Sequence, residues 1–261
     1  MHTTIEADSL RSAIRDKSVR VLDVRKEDDY KQNHIPTAVN LPLANLLSDD
    51  SPQKVLQFAQ SFGIDDETPV VVYDNTFGAL ASRVAWALQY IGHKDVSLLD
   101  VTYGTWKNMG LETGTEQISF DKKNHSLKLK PEILATVDYL ESVREKKGTI
   151  LIDNRDRLNY LEYHIPGAIN IPYRMLASPE NILRPKEELK RLVQNRGIPL
   201  DAEVITYCGS VGTLSGLAYY ALKAIDMESV KLYVRSFKEW KALEKPVASQ
   251  KDADYWDLSA E

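Results

Sequence analysis

The chain has one cysteine, Cys208, among its 261 residues. A single thiol closes no internal disulfide, and there is no cysteine cluster to hold zinc, so no metal site is expected. So little cysteine fits a reducing, cytoplasmic compartment. No apolar run approaches the roughly 18 residues of a membrane span. The opening stretch, MHTTIEADSLRSAIRDKS, has no apolar core of the kind a secretory signal needs, so none is expected. Neither sign of charge dominates: 33 Lys and Arg against 38 Asp and Glu leave a net charge of -5. That balance lacks the basic footprint of a nucleic-acid surface. No nucleic-acid or membrane partner is therefore expected.

What the chain does have is an internal repeat. Residues 20–42 read RVLDVRKEDDYKQNHIPTAVNLP, and residues 150–172 read ILIDNRDRLNYLEYHIPGAINIP. At a shift of 130, Asp23 matches Asp153, Arg25 matches Arg155, Tyr30 matches Tyr160 and His34 matches His164. Pro36, Asn40 and Pro42 match Pro166, Asn170 and Pro172 without a gap. Further on the shift becomes 134, pairing Gly63 with Gly197, Tyr73 with Tyr207, Gly78 with Gly212 and Trp106 with Trp240. Four extra residues, placed near Ser178 to Arg184, account for the change. One domain has been duplicated, at about 130 residues a copy. That unit is too large for a solenoid repeat.

Within each copy, short apolar runs alternate with helical patterns. VRVLDV, AVNL, PVVVY and VSLLD read as strands of the first copy; TILID, AINI, EVITY and VKLYV are their counterparts. ALASRVAWALQYI and TLSGLAYYALKAI read as helices, and Gly63, Gly92 and Gly197 fall where helix C-caps belong. Alternating strand and helix, with nearly continuous apolar strands, predicts an α/β fold. Each copy is expected to be a parallel sheet flanked by helices on both faces. The expected division is a first domain over 1–115, a polar linker over 116–130 and a second domain over 131–261.

Ligands of such sheets bind beyond the carboxyl ends of the strands. There EVITY runs into Cys208-Gly209-Ser210-Val211-Gly212-Thr213 and then into a helix. Successive N–H groups of a glycine-containing loop, with a helix N-terminus behind them, make an anion cradle. A cysteine facing that cradle is suited to act as a nucleophilic thiolate. The loop alone is equally compatible with a small buried side chain that ends a strand. The first copy carries Asp74 at the equivalent position, so only one copy has a nucleophile.

The whole chain resembles the tandem rhodanese family of thiosulfate and 3-mercaptopyruvate sulfurtransferases. The carriers are LDVR…HIPTAVNLP, LIDNR…HIPGAINIP and YCGSVGT. The resemblance implies two rhodanese-like domains, the first inactive with Asp74 in the cysteine place. It implies that Cys208 takes a sulfane sulfur from a small-molecule donor. The resulting persulfide would pass its sulfur to a thiol or thioredoxin-like acceptor, with no cofactor. Gly209, Val211, Gly212 and Thr213 would cradle the donor. No Lys or Arg stands between Cys208 and Thr213, and the Cys-Gly-Ser start is similar to the mercaptopyruvate type. Ser210 then assists the donor thiol as a second catalytic residue, and Arg155 binds the donor carboxylate. A second family arginine is replaced by Asn159, for which Arg157 is the nearest stand-in. The family order Gly-Val is inverted to Val211-Gly212, and its Asp-Gly-Ser turn is replaced by Val234-Arg235-Ser236, bringing Arg235 toward the site. His34 is a candidate proton relay to the loop serine.

Residues that recur in the copy without a cysteine read first as fold residues. That applies to Asp23, Asp153, Asn170 and His164, and to Trp106 and Trp240 as core anchors. Two other functions compete. A cysteine phosphatase uses the same strand-loop-helix device but needs an arginine closing the loop, and the loop here ends in Thr213-Leu214. A sulfur-relay or binding module would take its sulfur from another protein instead of a small donor.

Overall fold

The computed structural model describes residues 3–143, 146, 148–178 and 180–250. It divides into two compact units: one runs to Pro131 and takes in Ile182, and the other comprises Glu132–Ser178 and the chain from Leu183 on. Residues 116–130 belong to the first unit. There the Lys123, Lys128 and Lys130 N–H groups donate to carbonyls of Gln60, Ile91 and Tyr90.

The first unit is built on β1 (Thr4–Ile5), β2 (Arg20–Asp23), β3 (Val39–Asn40), β4 (Val70–Tyr73) and β5 (Val96–Leu99). They form a wholly parallel sheet in the order β1-β5-β4-β2-β3. The second unit holds β6 (Thr149–Asp153), β7 (Ile169–Asn170), β8 (Glu203–Tyr207) and β9 (Val230–Leu232), in the parallel order β7-β6-β8-β9. The two orders are the same once β1 is set aside. Even β1 leaves a trace: it pairs Thr4 with Leu98, and at the equivalent place a lone bridge joins Leu134 to Leu232. The central strands are buried along almost their whole length, as all-apolar runs require when helices cover both faces.

The recurring residues form one hub per unit. In the first, Arg25 forks onto Asp23 through Nε (3.0 Å) and Nη2 (2.6 Å) and donates again to the Asn33 carbonyl. The Tyr73 hydroxyl donates to Asp23 and accepts from the Ile35 N–H. In the second, Arg155 does the same with Asp153 and the Tyr163 carbonyl, and Tyr207 with Asp153 and Ile165. Asn40 and Asn170 each donate to the carbonyls on either side of that corner. All of these groups are buried or nearly so, so each charge is matched and hydrogen-bonded as burial demands. The hub holds the carboxyl ends of β2 and β4, and of β6 and β8, in register. The loops that leave those ends are fixed in consequence.

Helices Ala79–Tyr90 and Thr213–Ala224 follow β4 and β8 and pack back on their sheets. The expected C-cap glycines do their work: Gly63, Gly92 and Gly197 all stand at positive φ. Among the described residues no helix is long and apolar enough to cross a membrane.

Candidate active site

Cys208 is the first residue after β8, and its side chain is only 2% exposed. Three bonds fix its peptide. Its N–H donates to Ser236 Oγ (3.1 Å), its carbonyl accepts from the Phe237 N–H (3.1 Å), and the Gly209 carbonyl accepts from the Lys238 N–H (2.9 Å). The Ser236 hydroxyl also lies 3.7 Å from Cys208 Sγ and donates to the Tyr233 carbonyl at 2.9 Å. One hydroxyl proton thus has two acceptors, the carbonyl and the sulfur. Ser236 stands at φ 57, a left-handed conformation that a non-glycine residue adopts at a cost of roughly 1–2 kcal/mol. Sequence reasoning placed Ser236 only within a degenerate turn and gave it no role. The usable signal was the family's serine at that place, kept here after its Asp and Gly neighbours were lost.

The loop itself turns on Gly212, at φ 76, immediately before the helix Thr213–Ala224. Its counterpart Gly78 stands at φ 83 before Ala79–Tyr90. The inverted Val211-Gly212 order therefore puts the left-handed position where the first copy has it. Gly209 is exposed, Ser210, Val211 and Thr213 are half-buried, and Gly212 is buried.

The first copy shows what this kind of loop holds. Asp74 is buried, and its carboxylate accepts four backbone N–H groups: Thr76 (2.7 Å) and Gly78 (2.9 Å) on Oδ1, Leu80 (2.7 Å) and Ala81 (2.9 Å) on Oδ2. Burial pushes the Asp74 carboxyl above its ordinary range, and the four donors offset only part of that rise. The fold thus builds a nest of N–H groups around an anion one bond beyond the position of Cγ. At a shift of 134 those donors become Ser210, Gly212, Leu214 and Ser215, and Cγ becomes Sγ of Cys208.

The remaining expected site residues take the following places. Arg155 spends Nε and Nη2 on Asp153 and Tyr163 and lies over the Phe237 ring at 4.1 Å; Arg25, in the copy without a cysteine, is held alike over Tyr103 at 3.6 Å. Its charge is thus part of the hub in both copies. Arg157 opens the helix Arg157–Glu162, half-buried over Tyr160, while Asn159 is exposed. Arg235 is exposed beside the buried Ser236. His34 is buried, stacked on Tyr30, with Nδ1 2.9 Å from the Tyr30 carbonyl and Nε2 3.0 Å from that of Glu116. His164 repeats the stack on Tyr160 and the contact to its carbonyl (2.8 Å). Each histidine's backbone also bridges antiparallel to the chain that leaves its domain, His34 to Gly114 and His164 to Ala248. Among the described residues no cluster of His, Cys, Asp and Glu could hold a metal ion.

Comparison with known proteins agrees with this geometry. The rhodanese-like domain model matches residues 6–109 and again 136–243. The sulfur carrier protein TtuD of Thermus thermophilus is 27% identical, over 90% of this chain and 92% of its own. The 3-mercaptopyruvate sulfurtransferase of Escherichia coli K12 is also 27% identical, over 93% and 96%. The crystal structure of SseA, the Escherichia coli 3-mercaptopyruvate sulfotransferase, superposes with a TM-score of 0.81 at 25% identity, covering 91% of this chain and 99% of that one. Matched in both halves and sharing that architecture nearly from end to end, the chain belongs to the rhodanese-like domain family and carries the domain twice, in tandem.

Proposed function

We propose that the protein is a sulfurtransferase in which Cys208 carries sulfur as a persulfide between a small donor and a thiol acceptor. One observation carries the reading. The first copy's loop holds an anionic oxygen one bond beyond Cγ with four N–H donors. In the second copy Sγ takes the place of Cγ, so the same nest is dimensioned for an anionic atom one bond beyond Sγ. The outer sulfur of a persulfide is such an atom. Preorganised N–H groups aimed at a developing anion are an effective form of electrostatic catalysis.

The chemistry runs in two half-reactions. The Cys208 thiolate attacks the sulfur that is to be transferred, the thiol sulfur of 3-mercaptopyruvate or the outer sulfur of thiosulfate. With 3-mercaptopyruvate the carbon–sulfur bond breaks, and the electron pair leaves on the pyruvate enolate, which takes up a proton. With thiosulfate the sulfur–sulfur bond breaks and sulfite leaves. An acceptor thiolate then attacks the outer sulfur of the persulfide, the sulfur–sulfur bond breaks, and Cys208 is returned as thiolate. Ser236 positions Cys208 by accepting its N–H, and its hydroxyl proton is free to turn from the Tyr233 carbonyl to the sulfur when the sulfur is charged. The loop from Cys208 to Thr213 contains no Lys or Arg. A monoanionic keto acid such as 3-mercaptopyruvate suits that loop better than the dianion thiosulfate, and Ser210, on the same loop, is the residue we assign to assist the donor thiol. Arg155, already paired with Asp153, supplies positive potential behind the loop.

A second reading is a sulfur relay supplied by another protein, favoured by the likeness to TtuD, which is named as a sulfur carrier. Intact mass after incubation with 3-mercaptopyruvate or thiosulfate alone separates the two. A gain of one sulfur atom, absent in Cys208→Ala, is the expected result, with 3-mercaptopyruvate the faster donor. No gain from either donor would sink the enzymatic reading in favour of the relay.

A further inference from the structure

The first domain contains a cavity of about 490 Å³ at the end of its sheet opposite Asp74, where β2 and β4 begin. Its walls are largely apolar, with Ile14, Val19, Pro69, Ile118 and Phe120 among them, and Lys17, Arg20 and Lys123 add cations. That size falls within the range of small-molecule sites, roughly 300–1,000 Å³. Its two carboxylates are already engaged. Asp65 pairs with Lys123 at 2.7 Å and accepts from Thr68, and Glu67 lies near Lys94. Arg20 is placed differently. The Cζ atom of its guanidinium stands over the Phe120 ring, 3.0 Å from the centroid, and its buried Nε has no hydrogen-bond partner in the structure. Burial brings its pKa down to about 10, against the pull of Asp65.

The duplication supplies a control for whether the fold needs these features. At the position equivalent to Arg20, the second copy has Ile150, an ordinary residue for the start of a buried strand. At the position equivalent to Thr37, another residue of the cavity wall, it has Gly167. Both residues sit at positive φ, 66° for Thr37 and 85° for Gly167. Glycine takes that conformation freely, whereas a β-branched residue there is a genuine outlier. The first copy therefore places a half-desolvated arginine and a strained threonine around one cavity, where the sister domain does without either. Backbone strain, and a guanidinium that makes no ion pair among the described residues, coincide around one cavity and are the marks of a ligand site.

We propose that this cavity binds a small organic carboxylate with an apolar body, the carboxylate pairing with Arg20 and the body lying against Phe120, Ile118 and Val19. Guanidinium is the side chain suited to forked recognition of a carboxylate, and its stacking on an aromatic ring pre-orders it for that role. The site is separate from Cys208 chemistry and does not depend on it.

The test is calorimetric titration of the full chain with 3-phenylpropionate, with its neutral amide as the control. Saturable binding of the acid, and amide binding at least about ten-fold weaker, is expected from loss of a charge-assisted pair. Arg20→Ile, which installs the sister domain's residue, should weaken the acid by a similar factor while leaving sulfur uptake at Cys208 unchanged. No saturable binding of the acid, or equal binding of acid and amide, overturns the proposal. Because the acid–amide comparison is made on the wild-type chain, it decides the question even if the variant folds poorly.

Discussion

Positions 74 and 208 are equivalent ends of a strand, each followed by a turn with glycine at positive φ before a helix, and they carry two different residues. Asp74 fills its nest with its own carboxylate, which saturates the donors. Asp74→Asn keeps the size but leaves one acceptor oxygen where two stood, and turns an amide group toward two N–H donors. Unfolding by urea should show the variant less stable by about 1–3 kcal/mol, the usual result of stranding buried donors. A loss below a few tenths would mean that the nest does not need its anion. Ser236 lends itself to an equally direct test. Ser236→Ala leaves the Cys208 N–H without its acceptor and the sulfur without its hydroxyl. The rate of sulfur uptake on Cys208, followed by mass, should fall about ten-fold or more, in line with loss of one preorganised polar contact, while the protein stays folded. An unchanged rate would remove Ser236 from the site. Of these two residues only Asp74 was legible in advance. It sits in register with Cys208 in a repeat, whereas Ser236 reaches the sulfur from 28 residues away across a turn whose flanking residues have changed.

The strands and long helices could be read with little ambiguity, because buried parallel strands must be continuously apolar and each pattern occurs twice. The edges were less legible. β1 is two residues long and gains its identity only by pairing with β5, so no periodicity announces it. The loop before Thr213–Ala224 shows both sides of the matter. The glycine inversion signalled that the turn differs from the family pattern, but not that Gly212 would still supply the positive φ found at Gly78. Gly212→Ala tests this element. A Cβ at φ 76 is strained by roughly 1–2 kcal/mol, and relief of that strain would pull the N–H donors out of line. Sulfur uptake should drop more steeply than stability does. Full activity in the variant would show that the nest tolerates a different turn.

At the scale of the whole molecule, duplication lets each copy serve as the reference for the other. What recurs, such as the Asp-Arg-Tyr hub and the histidine stacks, has work to do in the fold of each copy; what occurs once needs its own reason. The first domain buries His93, its Nδ1 3.0 Å from His125 Nε2 and its Nε2 2.9 Å from the Thr68 carbonyl. The second domain has the equally buried Met227 at the equivalent position. Burial first, and then the neighbouring His125, lower the pKa of His93 below its usual 6.5. A base that is harder to protonate when folded binds fewer protons in the native state than in the unfolded one. Stability contributed at neutral pH is therefore lost as pH falls below about 6.5, until the folded value is reached. Urea unfolding at pH 7.5 and at pH 5.5 should show the wild-type chain weaker in acid, with the difference shrinking in His93→Met. If acid weakened both proteins equally, the sensitivity would lie elsewhere, in groups that the two domains share.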